Sequence, residues 1–267
     1  MQKAELIQQI HAKKSFLCVG LDTDLYKLPK HYAPTPDSIL DFNKKIIEAT
    51  LPFAVSYKIN TAFYEALGKI GWEILHATFE MLPAEVFKIA DAKRGDIGNT
   101  SNLYARAFFE QMKVDALTVA PYMGYDSIAP FLAYSEKWTI LLGLTSNAGA
   151  ADFELQKLEN GDFLYENVIK KAQSWGNPSQ LMFVVGATQK AHLQALRALA
   201  PDSFFLVPGV GAQGGELASV VEAALTAEIG LLINSSRQII YADSSENFAA
   251  AAAQEAQKLQ MEMAKFI

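Results

Sequence analysis

The chain has 267 residues, 51% of them hydrophobic, with a formal net charge of −6. That is ample for one large core and the wrong sign for non-specific nucleic-acid binding, which needs a basic surface. The single cysteine, Cys18, rules out an intrachain disulfide framework and suits a reducing compartment. No apolar signal core opens the sequence and no run of about 18 apolar residues occurs, so a soluble cytoplasmic protein without a membrane segment is expected.

Short apolar runs of strand length alternate with amphipathic stretches along the chain. An N-terminal helix, Glu5–Lys13, precedes the first strand at Phe16–Leu21. Helix Ser38–Thr50 leads to strand Ala54–Ile59, helix Thr61–Leu82 to strand Val86–Ala90, and helix Ser101–Met112 to strand Ala116–Ala120. Strand Thr139–Leu144 comes next, followed by a polar loop at Asn147–Asp162. Helix Tyr165–Ser174 then leads to strand Leu181–Val185, helix Gln189–Leu199 to strand Phe204–Val207, and helix Glu216–Leu225 to strand Gly230–Ile233. The Ala-rich helix Ser245–Phe266 ends the series. Near-continuous apolar strands alternating with helices indicate a parallel sheet covered by helices. Eight repeats in a chain of this length predict a single-domain (β/α)8 TIM barrel over residues 1–267, with an extra N-terminal helix.

Successive strand residues face opposite sides. In the first strand Cys18, Gly20 and Asp22 share a face; in the second Ser56, Lys58 and Asn60 do. Asp91 and Lys93 share a face of the third if extended geometry persists that far. Asp22, Lys58, Asp91 and Lys93 are then expected to meet at the C-terminal mouth of three neighbouring strands, where barrel enzymes place their chemistry. Asp24 and Arg94 read as solvated or structural, and Lys88, of opposite parity to Asp91, as the partner of a helix.

A second constellation lies near the C-terminus. Pro208-Gly209-Val210-Gly211-Ala212-Gln213-Gly214-Gly215 runs from a strand into a helix, and Asn234-Ser235-Ser236-Arg237 follows the next strand. Glycines let backbone N–H groups approach a ligand at a helix N-terminus, and arginine suits bidentate phosphate contact. Loops after strands seven and eight are the usual phosphate site of such barrels. His11, His31, His76 and His192 are scattered at non-ligand spacings, so no metal site is expected. Cys18, Phe108, Phe109, Phe204, Phe205 and the tryptophans read as packing residues.

These motifs together make the chain resemble the orotidine 5′-phosphate decarboxylase family from about Phe16 to Tyr241. The most specific element is Asp-x-Lys-x-x-Asp, met by Asp91, Lys93 and Asp96. "LD" at Asp22, "KIN" at Lys58, "TSNAG" at Ser146, "PGVGAQGG" at Gln213 and "NSSR" at Arg237 follow in the family's order. The long loop after strand five and the "NSSR-x-IIYA" ending are similar to the longer bacterial branch. The resemblance implies decarboxylation of orotidine 5′-monophosphate to uridine 5′-monophosphate with neither metal nor organic cofactor. It assigns Lys93 as proton donor within a Lys58–Asp91–Lys93–Asp96 charge network. It places Asp22 and Lys58 on the ribose, Ser146 and Gln213 on the pyrimidine, and Pro208, Gln213, Gly214 and Arg237 around the phosphate. Asp96 and Thr100 are implied to enter the site of another subunit, which makes the protein a homodimer.

Residue chemistry agrees with that assignment, because a fixed ammonium stabilises negative charge left on carbon and flanking carboxylates favour its charged form. The nearest rival is a related barrel acting on a sugar phosphate through Mg²⁺. It shares Asp-x-Lys-x-x-Asp but carries a metal-binding carboxylate where this chain has Lys58. A Schiff-base aldolase would need a lysine of lowered pKa, against the effect of the carboxylates. A phosphoribosyl-binding module without activity would not need a proton donor.

Overall fold

Parallel strands cannot be joined by tight hairpins; each needs a crossover that returns the chain to the same edge, usually by way of a helix. The computed structural model, which describes residues 1–186, 190–210 and 217–267, meets that requirement seven times, between eight strands. Strands β1 (Leu17–Gly20), β2 (Ser56–Asn60), β3 (Phe87–Arg94), β4 (Ala116–Val119), β5 (Trp138–Leu144), β6 (Leu181–Val185), β7 (Phe205–Pro208) and β8 (Leu231–Ser235) each pair in parallel with the next. β8 returns to β1, with Leu17 opposite Ile233, and closes the barrel. The expected eight-stranded barrel is present, with strand ends that differ by a few residues.

Helix α1 (Lys3–Lys13) precedes the barrel. The crossovers carry α2 (Pro36–Thr50), α3 (Ala62–Glu65), α4 (Lys69–Met81), α5 (Gly98–Arg106), α6 (Tyr125–Leu132), α7 (Leu164–Gln173), α8 (Lys190–Leu199) and α9 (Leu217–Ala224), while α10 (Arg237–Ile240) and α11 (Phe248–Met263) follow β8. Pro36 starts α2 at a position whose N–H no helix would use, and Ile39, Phe42, Ile46 and Ile47 recur at the spacing that buries one stripe. In α11, Phe248, Ala252, Ala256, Leu259 and Met263 do the same, and that stripe packs on α2 and β1. α1 buries Leu6 and Ile10 under the N-terminal end of the barrel. Its Lys3 ammonium reaches the Asp202 carbonyl and Glu228, in the loops ahead of β7 and β8. The opposite, C-terminal end is therefore the one left open for a site.

Three expected elements are built differently. The expected helix Thr61–Leu82 is two helices, because Gly68 adopts φ +67 and breaks the run between α3 and α4. The expected Ser101–Met112 helix starts earlier, at Gly98, and changes to a π-turn over Ala107–Gln111, which buries both Phe108 and Phe109. Helix α6, absent from the sequence reading, follows Gly124 at φ +88 and contains Pro130, two residue types that locally signal loops. Trp138 is buried as expected, but Trp72 is surface-exposed on α4. Lys88 does meet a helix, and through its backbone: the ammonium donates to the carbonyls of Phe79 and Leu82 at the end of α4, at 3.2 and 2.7 Å.

The α3–α4 corner gives a direct test of packing against propensity. A Cβ on Gly71 would lie 1.7 Å from the backbone oxygen of Tyr64, a fixed atom of α3. Alanine is favoured over glycine inside a helix by about 1 kcal/mol, yet forcing an extra carbon into a packed site costs about 1–3 kcal/mol or more. Gly71→Ala is expected to destabilise the protein, read as a lower urea midpoint at unchanged m-value; a higher midpoint would show that α4 shifts freely.

Candidate active site

Inward-facing residues of seven strands or their ends line a cavity of about 310 Å³ at the C-terminal mouth: Asp22, Lys58, Asn60, Asp91, Lys93, Leu142, Val184, Leu206, Pro208 and Asn234. The repeated spacing of two along β2 and β7 is the parity expected of the pleat. Charged groups come from β1 to β3, Asn234 from β8, and apolar groups from β5 to β7, so the cavity has a charged wall facing an apolar wall.

The charged wall is one connected chain. Lys58 Nζ lies 3.1 Å from Asp22 Oδ1 and 3.1 Å from Asp91 Oδ2, and Lys93 Nζ lies 2.6 Å from Asp91 Oδ1. Two carboxylates and two ammonium groups alternate, so their formal charges cancel. Lys58 is buried, and burial alone would lower its pKa; Asp22 and Asp91 outweigh that and raise it above the ordinary lysine value. Burial likewise pushes the Asp91 carboxyl up, but Lys58 and Lys93 prevail and hold it at about 2, below the usual 3.8. Lys93 differs from Lys58 in reach: its side chain is 48% exposed, so the ammonium is tethered to Asp91 yet open to the cavity.

The geometry at Lys93 departs from the expected extended strand. Lys93 has φ +48, and the β3–β4 register jumps from Ala90↔Leu117 to Arg94↔Val119. Four steps along β3 thus match two along β4, a bulge that re-aims the side chain. Lys93 reaches the cavity through this bulge, where simple alternation had been expected to place it. Thr118 fills the gap: its Oγ1 accepts from the Lys93 N–H at 2.9 Å and donates to Asp91 Oδ1 at 3.0 Å. Sequence reading missed Thr118; its signal was a hydroxyl inside the apolar run Ala116–Ala120.

Asp22 is held on both oxygens. Oδ1 accepts from Lys58 and from the Asn60 N–H at 3.2 Å, and Oδ2 accepts from Ser236 Oγ at 2.8 Å. Ser236 passes directly over Gly20, where a Cβ would sit 1.8 Å from its hydroxyl oxygen, so the glycine is what lets β8 reach Asp22. A second chamber of about 170 Å³ opens beside the first, lined by Asp22, Ser146, Pro208, Gly209, Ser235, Ser236 and Arg237 among others. Arg237 is exposed there and makes no salt bridge among the described residues. Gln213 and Gly214 lie outside the described residues.

Asp96 and Thr100 are not brought to this cavity. Asp96 Oδ1 accepts from the Ile97 N–H, its own N–H donates to Ser101 Oγ, and Thr100 is exposed in the first turn of α5. Arg94 is structural as expected, paired with Glu65 and packed between the rings of Tyr104 and Phe108. The long loop after β5 returns on itself: Glu154 accepts from the Thr145 N–H at 2.7 Å and from its hydroxyl, fixing the residue next to Ser146. No cluster of metal-ligating side chains occurs among the described residues, and no helix among them is long and apolar enough to cross a membrane.

The low Asp91 value has a sign that can be measured. Its folded pKa lies below the unfolded one, so the stabilisation is complete above about pH 4 and is lost as pH falls toward about 2. The interval between 3.8 and about 2 corresponds to about 2 kcal/mol. Unfolding free energies measured down that range are expected to fall by about 2 kcal/mol more for the native chain than for Asp91→Asn, which cannot ionise. Parallel profiles would remove Asp91 from the acid response.

Comparison with known proteins gives a consistent result. A family model for the orotidine 5′-phosphate decarboxylase / HUMPS family matches residues 15–253. Orotidine 5′-phosphate decarboxylase of Phocaeicola vulgatus is 52% identical over 270 residues, covering 100% of this chain and 99% of its own. That of Christiangramia forsetii is 54% identical over 268 residues, covering 99% of this chain and 98% of its own. The structure of Leishmania donovani OMP decarboxylase superposes with a TM-score of 0.83 at 35% identity, covering 98% of this chain and 99% of that one. Matched over its whole length by such relatives, the chain belongs to the orotidine 5′-phosphate decarboxylase family.

Proposed function

We infer that this chain decarboxylates orotidine 5′-monophosphate to uridine 5′-monophosphate and carbon dioxide, the last step in making that nucleotide de novo. The observation that carries the reading is the unbroken Asp22–Lys58–Asp91–Lys93 relay, which ends on an ammonium open to the cavity. The bond from the pyrimidine ring to its carboxylate carbon breaks, carbon dioxide leaves, and the electron pair stays on the ring carbon. Lys93 Nζ stabilises that charge and delivers a proton to the same carbon; the resulting amine recovers its proton from water. Asp91 stands beside the substrate carboxylate.

Magnitudes decide which effect matters most. Repulsion from Asp91 supplies ground-state strain of about 1–5 kcal/mol, while the largest enzymatic barrier reductions reach about 23 kcal/mol or more. Stabilisation of the developing charge by a preorganised ammonium therefore carries the greater share. Asp22 and Lys58 hold the ribose, Ser146 and Gln213 the pyrimidine, and Pro208, Gln213, Gly214 and Arg237 the phosphate. Binding energy at the phosphate chamber is spent on alignment at the reacting carbon. The reaction takes neither metal nor organic cofactor. Lys58 supports this over a Mg²⁺-dependent route, because its ammonium already engages both cavity carboxylates.

The chain acts as one barrel domain, in the cytoplasm, as a homodimer whose Asp96 and Thr100 complete the partner's site. Both residues sit outside their own cavity, on a flank where Ile97, Leu103, Tyr122 and Met123 expose apolar side chains. Exposed large apolar side chains near both residues suit an interface. The free, buried Cys18 suits a reducing compartment.

Lys93→Ala is expected to abolish turnover of orotidine 5′-monophosphate, followed by its absorbance change, while product binding by calorimetry survives; a near-normal rate would refute Lys93 as proton donor. Mixing inactive Asp96→Ala and Lys93→Ala chains is expected to restore activity, because a hybrid dimer contains one site built wholly from unmutated groups. No recovery after confirmed subunit exchange would mean that each site is built within one chain.

A further inference from the structure

A bulge normally leaves a backbone N–H without its ladder partner, and a buried donor left unpaired is costly. At Lys93 that donor is not left open, because Thr118 presents a side-chain oxygen in place of a backbone carbonyl. Thr118 is wholly buried, and its hydroxyl has one hydrogen to give. Since it already accepts from Lys93, it gives that hydrogen to Asp91 Oδ1, the same oxygen that receives the Lys93 ammonium.

The three contacts close a ring: Lys93 N–H to Thr118 oxygen, Thr118 hydroxyl to Asp91 Oδ1, and Lys93 Nζ back to that oxygen. Lys93 is thereby pinned at both its backbone and its tip. Its backbone sits at φ +48, a conformation that L residues other than glycine rarely hold without surrounding support. We propose that Thr118 is a positioning residue for decarboxylation, whose hydroxyl holds the Lys93 backbone in its bulged conformation and orients Asp91 toward the reacting carboxylate. Valine has the same shape and lacks the hydroxyl, so the apolar strand around Thr118 offers no steric reason for the choice. The chemical reason is the ring.

This inference rests on Lys93 acting as the proton donor, and the experiment separates the two. Two matched pairs isolate the hydroxyl: threonine against Thr118→Val, and Thr118→Ser against Thr118→Ala. Losing hydrogen bonds to charged or strained groups predicts that kcat falls by about ten- to a hundredfold in the Val and Ala variants. The Ser variant should stay within about threefold of the native kcat, and KM should move little in any of them, since Thr118 touches no substrate-binding group of the second chamber. The Ser/Ala pair still decides the matter if the valine variant fails to fold, because these side chains differ by one oxygen. Equal kcat values for Ser and Ala, or losses that appear in KM alone, would overturn the role of Thr118. If Lys93→Ala itself keeps its rate, the proton-donor reading fails first; if Lys93→Ala is inactive and the pairs show no hydroxyl dependence, only the Thr118 inference fails.

Discussion

Lys58 is an ammonium group in the middle of β2 with almost no access to water, and a charge in that position is tolerable only beside opposite charge. Asp22 from β1 and Asp91 from β3 provide it from either side. Each of those carboxylates is then committed: Asp22 draws in Ser236 from β8, and Asp91 draws in Lys93 and Thr118. A single buried cation thus connects groups on β1, β2, β3, β4 and β8. Because barrel closure brings β8 beside β1, the polar network and the closure of the sheet support each other. Removing Asp22 or Asp91 takes away part of the charge that compensates buried Lys58, which is more damaging than never having had the network.

The two lysines divide the labour by burial. Lys58 is fixed and closed off, suited to setting the field; Lys93 is tethered at its tip but half-exposed, suited to handing something over. The formal charges of the four residues cancel within the cavity wall. In the proposed reaction a ligand carboxylate adds one negative charge beside Asp91, and that charge stays on the ring carbon when carbon dioxide leaves, until a proton is delivered there. Leu142, Val184 and Leu206 form an apolar wall opposite the charged groups.

Much of this was legible in the amino-acid order. Eight apolar runs separated by amphipathic stretches leave little choice besides a closed parallel barrel, and period-two parity alone brought Asp22, Lys58 and Asp91 together. What stayed hidden depended on backbone geometry or on contacts between distant strands. The Lys93 bulge is invisible to parity, since nothing in Ala92-Lys93-Arg94 announces a positive φ at a lysine. Thr118 is an ordinary residue whose importance appears only when β4 is set against β3, and Ser236, read as part of the motif after β8, shows its grip on Asp22 only when β8 is set beside β1. Helix α6 was hidden by Pro130 and Gly124, local signals that tertiary packing overrides. Gly71 needs to be glycine for the sake of a carbonyl on another helix, a requirement no local pattern encodes.

The loop after β5 has a further consequence for how such a barrel tolerates change. Its Glu154 turns back to grip Thr145, so the loop carries the fastening that holds down its own base. Length added at this point therefore need not loosen Ser146, as an untethered extension would. The segment behaves as a self-latching cassette, and anyone transplanting or shortening it must move latch and socket together.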